Sequence, residues 1–219
     1  MKHPAISYVA PMGVFVLFLA VGDHLGLGEW ESPLRIAVLA ACLWYFSRSV
    51  ISFRAPFWMG SLQVGAAVFL IWVAPDWLWP GYRGHWLFDN ILTGKAQSSV
   101  SAGVLASPLV LTCRVLRAVV LVPIIEELFW RAFLLRWLIR VDFPSVPLGA
   151  YQPAAFWITA VLFASEHGPY WDVGLAAGIF YNWWMVRAKS LGDCILAHAA
   201  TNGLLSGYVI LTGKWEYWL

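Results

Sequence analysis

The chain has 219 residues, 61% of them hydrophobic and 12% charged, and a formal net charge of +2, with a mean hydropathy of +0.70. Soluble domains carry about a quarter of their residues as charges, so this balance excludes a soluble surface and indicates a polytopic membrane protein. Nucleic acid is set aside as a partner, because the Lys and Arg residues are scattered between apolar runs and form no basic face.

The first apolar run, about Ile6 to Val21, follows Met1-Lys-His-Pro like a weak signal peptide. With Pro11 inside it and no small-x-small cleavage site, it reads as a retained span. Asp23 to Glu31 carries acidic residues and no Lys or Arg. A second run, Leu34 to Phe46, ends at Arg48 and Arg54, and a third extends from about Phe57 to Ala74. Asp76 to Ser99 mixes Trp, Pro and Gly with charges and reads as an interfacial loop or short surface helix. Tryptophans gather at run ends, as an aromatic belt requires.

Val100 to Arg140 has a helical pattern throughout. One straight helix of that length would span about 60 Å, twice the hydrocarbon core, so a break is expected. The division predicted is a shorter helix to about Cys113 and a spanning helix from about Arg117 to Ile139, bent or begun near Pro123. A fifth span runs from about Ala154 to His167 and a sixth from about Val173 to Ala188. The sixth holds Gly174-x-x-x-Gly178, which predicts close helix packing. The last span, Leu191 to Leu211, precedes an interfacial tail. Cys42, Cys113 and Cys194 lie singly in apolar segments and read as inert buried thiols.

The expected fold is an all-α polytopic transmembrane helix bundle of seven to eight spans with a polar intramembrane cavity, residues 1–219 forming one integral membrane domain. Lys2, Arg48, Arg54, Arg136, Arg140, Arg187 and Lys189 fall on one side if the spans alternate, and that side should be cytoplasmic.

Ionisable groups at membrane depth are costly and read as functional by default. On a helix, Glu127 can pair with Arg131 four residues on, while Glu126 points about 100° away and keeps a free carboxylate fit for general-base chemistry. A purely structural charge cluster is the alternative. His167 closes the fifth span, and Glu166 beside it turns to another face, toward water. His198 and Asn202, an i,i+4 pair in an apolar helix, need partners inside the bundle. Convergence of Glu126, His167, His198 and Asn202 on one partly wet cavity is the economical expectation, and Asn182 is a further candidate for its lining.

Glu126-Glu127-x-x-x-Arg131, Phe163-x-x-x-His167 and His198-x-x-x-Asn202, in this order on successive segments, resemble the CAAX-protease and bacteriocin-processing family of intramembrane glutamate endopeptidases. The resemblance covers residues 115–207 as a catalytic core, Pro123 included. Residues 1–100, read as variable N-terminal spans and the interfacial loop, lie outside it, and Ala132 stands where many relatives have glycine. It implies that Glu126 and His167 activate a water, that His198 and Asn202 stabilise the oxyanion, and that Glu127 and Arg131 form the supporting pair, with no cofactor and no metal.

The partners implied are the lipid bilayer and a membrane-associated protein or peptide substrate, in a bacterial inner membrane. An exosortase-type sorting system is a partner by analogy only. A zinc-dependent protease stays open, since two histidines and a glutamate can hold zinc, although no His-Glu-x-x-His helix is present. A non-proteolytic scaffold of the same fold also stays open. A proton-coupled transporter is disfavoured by the short chain and the lack of an internal repeat.

Overall fold

The computed structural model describes residues 3–98 and 107–218. Seven helices and no strand occur among the described residues. They are α1 (Ile6–Val21), α2 (Glu31–Cys42, prolonged by a π turn Leu43–Ser47), α3 (Trp58–Leu78), α4 (Pro108–Trp137), α5 (Pro153–Ser165), α6 (Trp171–Ala188) and α7 (Leu191–Thr212). The sequence supplies their starts. Pro108 and Pro153 open α4 and α5, where a missing N–H costs nothing. Gln152 and Ser190 accept from the backbone N–H groups of Ala155 and Asp193.

The all-α bundle is as expected. Three helices, α3, α4 and α7, are long and apolar enough to cross a membrane, and α1 and α5 are shorter apolar helices. By length and composition alone, three of the seven helices among the described residues qualify as full spans. Corrections concern two elements. α3 continues through Asp76, which had been assigned to the interfacial segment. α4 runs without a break from Pro108 to Trp137. Instead of breaking, it widens into π turns at Arg117–Leu121 and Trp130–Leu134, which leaves Val122–Phe129 as an α segment between them. The first part of the helix expected from Val100, and Lys2, lie outside the described residues.

α7 is the central post. At Gly65 of α3 a Cβ atom would collide with the Ala197 carbonyl of α7, so these helices meet backbone to backbone. Asp193, fully buried, accepts from the Phe57 N–H at 3.1 Å and the Ser61 hydroxyl at 2.8 Å, fixing the start of α3 to that of α7. Arg54, Arg136 and Lys189 border one pocket at this end of the bundle, which puts three of the same-side cations together.

The opposite end is closed by the segment after α3. Arg83, 9% exposed, bonds the Asp172 carboxylate at 2.5 Å and the Pro169 carbonyl at 2.8 Å, pairs with Asp76 at 3.3 Å, and lies 4.5 Å from the Tyr170 ring centroid. Tyr217 of the tail donates to Asp76 at 2.9 Å. Burial, reinforced by Asp76, holds the Tyr217 phenol well above its ordinary pKa, so it stays a donor. The segment expected to be a surface loop is thus an ionic clasp joining α3, α6 and the tail.

Candidate active site

Pro123 explains how Asn202 is positioned. In the first π turn of α4 the Val122 N–H reaches back five residues to the Arg117 carbonyl. The next N–H in that pattern would serve Ala118, but residue 123 is proline and has none. The orphaned Ala118 carbonyl accepts from Asn202 Nδ2 of α7 at 2.8 Å. Pro123→Ala returns a competing donor to that carbonyl. If Asn202 serves an oxyanion, as the resemblance implies, peptide cleavage should fall about tenfold, a fraction of the 10²–10³ that loss of a whole oxyanion donor costs, with folding retained. An unchanged kcat would refute this account of Asn202.

On the next turns of α4, Glu127 and Arg131 pair as the i,i+4 spacing requires, at 2.9 Å, and both are fully buried. The same oxygen, Glu127 Oε1, also meets His198 Nδ1 at 2.8 Å. Arg131 donates through Nε to Asn182 at 3.2 Å and sits 4.4 Å from the centroid of the Phe163 ring. Asn182 in turn donates to the Phe156 carbonyl at 2.8 Å. Asn182 therefore does not line the cavity; it anchors Arg131 from α6, and this corrects the expectation. The His198 ring stacks on Tyr181 with centroids 4.9 Å apart, and Tyr181 donates to Thr201. With Nδ1 directed at a carboxylate, His198 presents Nε2 to the cavity.

Glu126 faces the other way. It is 7% exposed, and its Oε2 has no hydrogen-bond partner among the described residues. A buried carboxylate oxygen without a donor is a ready position for water. His167 follows α5, and its Nδ1 lies 2.7 Å from the Phe163 carbonyl. A carbonyl only accepts, so Nδ1 carries the proton and Nε2 keeps a lone pair. Glu126, His167, His198 and Asn202 line one cavity of about 170 Å³. Three of them, Glu126, His167 and Asn202, also line an adjoining space of about 440 Å³.

The glycine pair of α6 splits into two roles. Gly178 packs on α5 as expected, where a Cβ would come 3.0 Å from the Ala160 carbonyl. At Gly174 a Cβ would lie 3.1 Å from His167 Cγ and Nδ1. The ring has little room to yield, because Trp72 packs edge-on at 5.2 Å and Phe163 at 4.7 Å. Gly174→Ala should lower kcat by up to about tenfold at nearly unchanged melting temperature, since the ring must shift by a fraction of the ~1 Å misplacement that costs about 100-fold. Gly178→Ala should do the reverse. Kinetics and thermal melts of the two variants separate the roles.

Sequence reasoning missed three neighbours. Trp72 and Tyr181 line the 170 Å³ cavity, and only their aromatic character at unremarkable helix positions was visible. Glu166 faces water as expected, but it does so at the larger cavity that holds Glu126. The tail is not merely interfacial, since Tyr217 and Trp218 help to wall both spaces. No group of three or more His, Cys, Asp or Glu side chains among the described residues is arranged to hold a metal ion.

Residues 108–204 match the family model described as type II CAAX prenyl endopeptidase, Rce1-like. No curated protein and no solved structure matches the chain significantly. The matched stretch runs from the first residue of α4 into α7 and contains all three motifs. Over this stretch, which is less than half of the chain, the sequence is similar to the Rce1-like type II CAAX prenyl endopeptidases.

Proposed function

We propose that this protein hydrolyses a peptide bond of a membrane-associated protein or peptide by a metal-independent glutamate mechanism, in a bacterial inner membrane. The observation that carries the reading is the convergence of Glu126, His167, His198 and Asn202 from α4, the end of α5 and α7 on one small cavity. A water between Glu126 and His167 Nε2 loses a proton to Glu126 as its oxygen attacks the carbonyl carbon. His198 Nε2 and Asn202 Nδ2 face the oxyanion that forms. The Glu127 carboxylate holds Nδ1 of His198 at 2.8 Å and so directs Nε2 toward that oxyanion. As the C–N bond breaks, Glu126 returns its proton to the leaving amine.

The test is cleavage of a panel of fluorogenic peptides, prenylated C-terminal sequences among them, by the purified protein in detergent with and without a chelator. Activity that survives the chelator and disappears in the Glu126→Gln variant supports the mechanism. Loss on chelation would replace it with a metal site. A folded wild type that cleaves no peptide would favour a scaffold.

A further inference from the structure

The pocket beside the start of α7 collects cations that the proposed reaction leaves unused. It has a volume of about 300 Å³ and shares no lining residue with either space around Glu126. Three separate segments bring one cation each: Arg54 before α3, Arg136 in the last turn of α4, and Lys189 between α6 and α7. Neither Asp nor Glu lines the pocket. None of the three cations has an ion pair among the described residues. Asp193, the acidic residue in the first turn of α7, is taken up by Phe57 and Ser61 instead.

Neutral groups fix all three in place. Arg136 is 8% exposed, and three of its five N–H groups donate to the carbonyls of Val146, Ala132 and Pro144, at 2.7, 2.9 and 3.3 Å. Its guanidinium lies 5.4 Å from the Phe143 ring centroid. Carbonyls and a ring face orient the guanidinium and leave its formal charge in place, which is costly in a buried group until an anion joins it. The Arg54 carbonyl accepts from Ser190 Oγ at 2.9 Å, and it approaches Gly192 so closely that a Cβ there would collide with it. Lys189 is the one non-glycine residue with positive φ, 53°, among the described residues. Gly or Asn would be the unstrained choice at that position. A Cβ added at Gly149 would come 2.7 Å from Lys189 Cγ, so the stem of the lysine is pinned where it crosses that loop.

The depth of the pocket narrows the choice of ligand. Phe53, Phe57 and Trp58, close to Arg54 in the chain, are all more than half exposed, as in an aromatic belt at a membrane–water interface. Phospholipid phosphates lie at that level, and basic pockets between helices suit them. We infer that Arg54, Arg136 and Lys189 form a binding site for an anionic phosphate group, carried by a phospholipid headgroup or by a soluble phosphate compound. The occupied site ties the end of α4 to the segments that lead into α3 and α7. This inference stands apart from the hydrolytic reading, because it uses none of the groups around Glu126.

Binding of phosphatidylglycerol with a fluorescent acyl chain, measured by anisotropy on the purified protein in neutral detergent, tests the site. The double variant Arg54→Gln, Lys189→Asn removes two of the cations and gives residue 189 a side chain suited to its backbone. Arg136 stays, because its bonds hold the 143–147 segment. Arg48→Gln, Arg187→Gln is the control, since it removes two exposed cations that do not border the pocket. The pocket variant should bind the lipid at least about tenfold more weakly, as the loss of charge-assisted hydrogen bonds implies. The control should change binding by no more than about threefold. Unlabelled phosphatidylglycerol should displace the probe at least about tenfold better than phosphatidylcholine, whose phosphate carries its own cation. Displacement by glycerol 3-phosphate as effective as by the lipid would make the ligand a soluble phosphate. If the lipid does not bind, a rise in melting temperature with glycerol 3-phosphate that the pocket variant lacks leads to the same assignment. Equal losses in the two double variants, equal displacement by both phospholipids, or no binding of either lipid or glycerol 3-phosphate overturns the site.

Discussion

Exchange of Glu126 for glutamine should lower kcat for peptide cleavage by about 10²- to 10⁴-fold, the usual contribution of a positioned general base. The side chains are nearly the same size, so the cavity keeps its shape. Oε2 of Glu126 has no partner among the described residues, so the exchange breaks no hydrogen bond there and the melting temperature should hold. What disappears is the ability to take a proton from water. KM should change little if the carboxylate acts mainly in the transition state. A residual kcat within about tenfold of wild type would mean that Glu126 is not the base. Attention would then pass to Glu166, the other carboxylate on that cavity.

The largest loss of stability is expected from Arg131→Met. Arg131 and Glu127 are both fully buried, and removing one member of such a pair leaves an uncompensated charge, at a cost of about 3–5 kcal/mol. For a chain of this length that corresponds to a fall in melting temperature of about 6–20 °C. Asn182 also loses its acceptor role toward Arg131 Nε. In the double variant Glu127→Gln, Arg131→Met the stranded carboxylate is gone, and a good part of the loss should return. Thermal unfolding in one detergent checks both. A single variant that melts with the wild type would show that the pair does not hold α4 in the bundle.

Most helix starts, though not that of α4 at Pro108, the order of the bundle and the Glu127–Arg131 pair were legible in the sequence, because each follows from local spacing or from the edge of an apolar run. The meeting of Glu126, His167, His198 and Asn202 was legible because charged and amide groups in apolar runs need partners. The rest depends on contacts between helices. The Ala118 carbonyl becomes available only when the π turn and Pro123 coincide, and a sequence shows the proline without the turn. Gly174 looked like Gly178, yet one faces an imidazole and the other a backbone. Asn182 looked like a cavity residue because polar atoms in an apolar helix were read as site atoms, whereas it serves the arginine behind the site. Arg83 looked superficial because its two aspartates lie 7 residues back and 89 residues on in the chain.

One atom, Glu127 Oε1, meets both the arginine that ties down α4 and the histidine proposed for the oxyanion. Fold maintenance and chemistry thus draw on the same pair of lone pairs, and substitutions at Glu127, Arg131 and His198 should be strongly non-additive. Glu126 carries no such double duty. In a lineage that has abandoned hydrolysis, drift is therefore free to erase Glu126 early, while Glu127 and Arg131 persist under selection for folding alone. Retention of the second glutamate and the arginine in a descendant is a record of architecture; retention of the first glutamate is a record of use.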